Sequence, residues 1–280
     1  MTPAATDPPE RRWTVTSPDG TPIAVTTVGQ GPPLLLVHGA AADHTTFRVV
    51  APLLAPRFTT HAIDRRGRPD SGDTPPYAIA REFEDVAAVA DAVATDAGGA
   101  AVAAFGHSFG GRCVLGAALL TASIGRVISY EGAPTPPGER YGDDTVLDDL
   151  RRLAADEAWD GLFETFLRRV VGLDDAGIAT YRSNAVWPRR VAAAPTIVRE
   201  LESEGDPGGE GSLDALRAVR QPVLQLLGGD SLDSFRVATE ALDAALPDGR
   251  IAVIPGARHA AHHTHPETVV ELVQAFLRDA

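Results

Sequence analysis

The amino-acid sequence predicts an α/β fold: a doubly wound, mostly parallel eight-stranded sheet with an inserted helical cap. Three observations predict it. Six short apolar runs lack the alternation of a half-exposed strand, as expected of strands covered on both faces. Segments with helical spacing separate most of them. One long interval holds no convincing strand and several amphipathic helical stretches.

In chain order, Trp13–Thr16 and Ile23–Val28 are β-rich and flank Ser17-Pro18-Asp19-Gly20, whose turn chemistry predicts an opening antiparallel hairpin. The parallel candidates are Pro33–Val37, Thr59–Ile63, Ala101–Phe105, Val127–Tyr130, Val223–Leu227 and Ile251–Ile254. Helices are expected over Thr45–Leu54, Ala80–Ala94, Phe109–Leu120, Phe235–Leu246 and Glu267–Leu277, the last opened by Pro266 at a favoured first-turn position. Residues 135–216 break this rhythm, with helical stretches at Leu147–Leu153, Trp159–Val171 and Val191–Leu201 and a glycine-rich return at Gly205–Gly211. The expected organisation is a loose tail over 1–10, a core formed by 11–134 and 217–280, and a cap over 135–216.

Composition narrows the function. The chain has 280 residues and no apolar stretch approaching the roughly 18 to 20 that a membrane span needs, so no membrane partner is expected. A formal net charge of −13 opposes binding to phosphate backbones, which excludes nucleic acid as an expected partner and leaves a small-molecule substrate. Met1–Glu10 lacks the basic-then-apolar order of a secretory signal. The single cysteine, Cys113, can form no internal disulfide and reads as a small buried apolar residue. A cytoplasmic location is expected. Every basic side chain is arginine, which we read as genome bias.

The strongest local signal is Gly106-His107-Ser108-Phe109-Gly110-Gly111, between an expected buried strand and an expected helix. A G-x-S-x-G turn in that setting holds a nucleophile at the tip of a strained strand-to-helix elbow; its glycines let the backbones approach. The helix start near Phe109 offers free N–H groups to a developing oxyanion. His107 is the variable position and is assigned to packing. The bland reading is a simple Gly/Ser connector.

With these residues the chain resembles the α/β-hydrolases, from about Trp13 to the C-terminus. Val37-His38-Gly39-Ala40 matches the family's His-Gly segment, so the resemblance implies Ala40 and Phe109 as oxyanion donors. Asp64-Arg65-Arg66-Gly67-Arg68-Pro69-Asp70-Ser71 resembles the family's D-x-R-G-x-G-x-S loop, with Pro69 where glycine is usual. The family places its catalytic histidine in the loop after the last strand, which implies His259 as the general base.

The third member of the triad stays open. After Val223–Leu227 comes Gly228-Gly229-Asp230-Ser231-Leu232-Asp233, and the family's spacing would place the acid where Ser231 stands. Asp230 is one residue early and Asp233 two late. Glu131, closing the sixth strand, is the alternative, because some family members carry their acid there and geometry defines the role. Glu131 is preferred to Asp230, and Asp233 comes third. A metal site at His259, His262, His263 and His265 is the competing reading of that cluster. The spacing matches no trusted zinc pattern, so no metal and no cofactor are expected.

Ser at the elbow implies acyl transfer and argues against members that use Asp to form an alkyl-ester intermediate. Ester, thioester, amide and lactone substrates remain open, with a cap whose Trp159, Phe163, Phe166 and Trp187 either roof an apolar pocket or form the cap's own core. A lyase or cyclase on the same scaffold, or a binding protein without turnover, are the other classes.

Overall fold

The computed structural model describes residues 10–203 and 209–278. The expected tail therefore lies outside it except for Glu10, as does most of the glycine-rich return.

Apolar runs without alternation need cover on both faces, and the third strand shows how this is met. In β3 (Pro33–Val37) every residue is buried, with Leu35 and Val37 packed into one core and Leu34 and Leu36 into another across the sheet. The strands β1 (Arg11–Thr16), β2 (Pro22–Gly29), β3, β4 (Thr59–Asp64), β5 (Val102–His107), β6 (Ile124–Tyr130), β7 (Val223–Gly228) and β8 (Gly249–Ile254) form one eight-stranded sheet in the order β1-β2-β4-β3-β5-β6-β7-β8. β2 runs antiparallel to both β1 and β4, and the remaining pairs are parallel. Of the six strands formed by the non-alternating runs, β8, at one edge of the sheet, departs from two-sided cover, with Val253 54% exposed.

The helices are α1 (Val50–Leu54), α2 (Ile79–Asp96) and α3 (Phe109–Ala117), then α4 (Val146–Ala155), α5 (Trp159–Phe166), α6 (Asp175–Arg182), α7 (Trp187–Ala193), α8 (Ile197–Glu202) and α9 (Leu213–Leu216) between β6 and β7. α10 (Asp233–Ala245), α11 (Ala261–Thr264) and α12 (Pro266–Arg278) complete the chain. Three differences from expectation have local causes. A 3-10 turn at His44–Phe47, capped by the Asp43 side chain, precedes a short α1. The helix expected over Val191–Leu201 is divided at Ala194–Thr196, where Pro195 lacks the N–H an unbroken helix would use. α6 was not expected; its Asp174 cap and single buried residue, Ile178, make a weak pattern.

The insertion has its own core of Leu162, Phe163, Phe166, Trp187 and Ile197, with Trp159 packed against it. Buried ion pairs join it to the sheet. Arg190 reaches Asp43 at 2.6 Å, and Glu200 meets Arg68 at 2.6 Å and Arg65 at 3.1 Å.

Candidate active site

Ser108 follows β5 with φ 53° and ψ −129°, a conformation an L-residue holds only when its surroundings impose it. Two glycines make the imposition possible. A Cβ on Gly106 would lie 2.2 Å from Gly110 O, and one on Gly110 would lie 2.2 Å from Val37 O. The Ser108 N–H donates to Tyr130 O at 2.8 Å, and Gly111 N–H donates to Ser108 O at 2.7 Å. The elbow is thus tied to the neighbouring strand and to its own helix.

His259 lies between β8 and α11, 6% exposed, its ring stacked on Phe235 with centroids 4.3 Å apart. Its Nδ1 is 2.5 Å from Glu131 Oε2. The other Glu131 oxygen, Oε1, accepts from Gly228 N–H at 2.7 Å and from Ser231 Oγ–H at 2.6 Å. So the serine in the slot where the family's spacing would put a carboxylate instead holds the carboxylate that comes from β6. Asp230, the other carboxylate expected from the sequence, is exposed, and its backbone N–H donates to Ala257 O at 2.8 Å. Asp233 opens α10 and pairs with Arg236.

Two residues that sequence reasoning left to packing brace the His259 loop. The His107 Nε2–H donates to His259 O at 2.7 Å, and burial, with His259 beside it, holds the His107 imidazole well below its usual value and therefore neutral. The Tyr130 hydroxyl donates to Arg258 O and accepts from Ala261 N–H at 2.9 Å. Nothing in the local sequence marks either role, since both partners lie more than a hundred residues away. His262 is buried with its ring 4.2 Å from those of His107 and His263, and His265 Nδ1 meets Thr264 Oγ1 at 2.9 Å.

The Gly39 carbonyl is held by Arg65 Nη1 at 3.1 Å and Arg68 Nη2 at 3.4 Å. Across a trans peptide the N–H points opposite to the C=O, so the Ala40 N–H is directed away from these arginines. Phe109 begins α3, where the N–H has no partner within the helix. Both Ala40 and Phe109 line a small cavity with Ser108 and His259. Arg65, Arg66 and Arg68 are all fully buried, with Arg65 on Glu82 at 2.7 Å, Arg66 on Asp85 at 2.7 Å and Arg68 on Glu200 at 2.6 Å. Pro69 is accommodated because it occupies the second position of a turn closed by Ser71 N–H to Arg68 O at 3.0 Å, where proline's fixed φ is favoured.

Ser108 and His259 border two spaces. The larger, about 490 Å³, is walled by Phe163, Phe166, Leu167, Val171 and Leu173 on the insertion and by His262 and His263 on the core. The smaller, about 30 Å³, extends past Phe109 to Arg112 and Glu200. Of the four aromatics singled out from the sequence, Phe163 and Phe166 both pack in the insertion's core and border the larger space, whereas Trp159 and Trp187 belong to that core and do not border it.

Comparison with known proteins accords with this architecture. The chain is similar to a pimeloyl-[acyl-carrier protein] methyl ester esterase of Photobacterium profundum, 28% identical over 265 residues that cover 90% of this chain and 97% of that one. It is also similar to a 2-(acetamidomethylene)succinate hydrolase of Mesorhizobium japonicum, 26% identical over 261 residues covering 89% of each. Among solved structures, an alpha/beta hydrolase from Sphaerobacter thermophilus superposes with a TM-score of 0.79 at 31% identity, covering 95% of this chain and all of that one. The family model of the alpha/beta hydrolases matches residues 34–272, most of the length and every element of the site described above, and the chain therefore belongs to the alpha/beta hydrolase family.

Proposed function

We propose that the protein hydrolyses an ester-type bond, whether ester, thioester or lactone, of a small and largely apolar substrate through an acyl-enzyme on Ser108. The observation that carries this reading is the imidazole of His259, held through Nδ1 by Glu131 at 2.5 Å while bordering the same cavities as Ser108. A proton fixed on Nδ1 leaves Nε2 free to take the proton of the Ser108 hydroxyl. Ser108 then attacks the carbonyl carbon, and the N–H groups of Ala40 and Phe109 stabilise the oxyanion. His259 returns the proton to the leaving alcohol or thiol. Water, activated by the same imidazole, attacks the acyl-enzyme and releases the acid.

The helices of residues 135–216 act as a cap that lines the larger cavity with apolar side chains. The names of the relatives, an esterase and a hydrolase, support the ester-type reaction class. No helix among the described residues is long and apolar enough to cross a membrane. Burial of Cys113 pushes its thiol up and leaves it a packing residue, and we assign the enzyme to the cytoplasm.

A fluorophosphonate probe tests the reading. Covalent labelling of the folded protein that disappears in Ser108→Ala is the expected result. A folded wild type that takes no label would favour a lyase, a cyclase or a binding protein on this scaffold.

A further inference from the structure

Among the described residues, the buried arginines around the elbow are matched by carboxylates with one exception. Arg65 and Arg68 share Glu82 and Glu200, and Arg66 is held by Asp85 and Asp19. Arg112 is equally buried, at 2% exposure, yet its Nε and Nη1 are enclosed and have no hydrogen-bond partner. Glu200 borders the same small cavity, but its Oε1 is taken by Arg65 and Arg68, and its Oε2 meets no donor. The cluster of Arg65, Arg68, Glu82 and Glu200 is neutral as a unit, and among the described residues Arg112 has no ion pair of its own.

A guanidinium stays charged at any ordinary pH, and a desolvated charge without a partner is among the costliest things a fold can contain. Its position makes the omission more telling. Arg112 stands four residues after Ser108, so the two share one face of the elbow and its helix. It also ends the first turn of α3, where the helix's own field disfavours a cation.

We propose that Arg112 is the specificity determinant for a free carboxylate on the substrate's acyl group. The enzyme's preferred substrates are then half-esters or half-thioesters of short dicarboxylic acids. This rests on the acyl-enzyme reading above and sharpens it. His259 borders both cavities, and the leaving group is placed along the larger one, whose wall continues through Ala260, His262 and His263. The acyl portion then turns into the smaller cavity, about 30 Å³, which Arg112 borders together with Glu131 and Glu200. Carboxylate is among the anions that a planar guanidinium pairs best.

The test compares monobutyl esters of succinate, glutarate and adipate with the uncharged half-amide analogues of the same lengths. The wild type should favour the best half-ester in kcat/KM by about 10- to 100-fold, the range of a charge-assisted hydrogen-bonded pair. Arg112→Met should bring that ratio near unity, and Arg112→Lys should restore part of it. A wild type without the preference, or an Arg112→Met enzyme that keeps it, overturns the proposal. Should the variants fail to fold, free glutarate must protect wild-type Ser108 from the fluorophosphonate while glutaramide does not; equal or absent protection also overturns it. The two readings fail separately. A chain that binds glutarate by calorimetry but takes no label loses the acyl-enzyme and keeps the carboxylate site, whereas one that labels and ignores the carboxylate loses only Arg112's role.

Discussion

Ser231 and Glu131, one hundred residues apart in sequence, meet through a 2.6 Å hydrogen bond that joins the carboxyl ends of β6 and β7. That contact turns the position that the usual spacing reserves for an acid into a support for one supplied by the neighbouring strand. The same carboxylate is fixed by the Gly228 N–H, so its remaining oxygen is aimed at His259 before any substrate arrives.

Glu131→Gln should lower kcat by roughly 10³- to 10⁴-fold, because an amide can present its N–H to Nδ1 and stabilise the wrong tautomer. Asp230→Asn should change little. Ser231→Ala should fall between them, since Gly228 N–H still holds Oε1. Steady-state kinetics on one ester ranks the three; Asp230→Asn as the most damaging would reverse the assignment of the acid.

Gly106→Ala and Gly110→Ala should each destabilise the fold by about 3 kcal/mol or more, because the added methyl meets backbone oxygens that cannot move aside. Thermal denaturation reads this directly. A melting temperature within a degree or two of wild type for either variant would show that the elbow tolerates the bulk.

Glu200→Leu should cost about 3 to 5 kcal/mol, since it strips Arg68 of its carboxylate and Arg65 of one of two. Burial works against the Glu200 charge, yet Arg65 and Arg68 still draw its pKa below the ordinary carboxylate value, so the pairing wins. Because Glu200 sits on α8 and its partners on the β4 loop, limited proteolysis should cut the insertion before the core. Simultaneous loss of both would show that the pair does not secure the insertion in particular.

Stability should fall as pH drops from about 6.5 toward 4. Burial lowers the folded-state pKa of His61 and His263 to about 4, and it pushes His38, His107 and His262 well below the usual imidazole value. Each binds a proton more readily unfolded than folded, so their contribution is present above the unfolded value and is lost as pH falls through that window. His44 acts in the opposite sense: its hydrogen bond to Asp64 raises its pKa, and that contribution is lost as pH rises. Five lowered groups outweigh one raised group. Melting temperatures that rise between pH 7 and pH 5 would contradict this balance.

The sequence by itself determined the strand and helix alternation, the elbow at Ser108 and the loop that carries His259, because each is written in contiguous residues whose local chemistry admits few conformations. It also narrowed the acid to a short set of carboxylates. Only the tertiary structure shows that Glu131 is the one in contact with His259. Which carboxylate reaches an imidazole depends on how β6 and β7 align and how the turn after Gly228 folds, and no run of neighbouring residues encodes that register. The same holds for the arginines near the elbow. That Arg65, Arg66, Arg68 and Arg112 are all buried near it, and whether each finds a counter-charge, depends on where packing delivers carboxylates such as Glu82 on α2 and Glu200 on α8. Long-range pairing of side chains is set by packing, and among the described residues it left Arg112 Nε and Nη1 without a partner near Ser108.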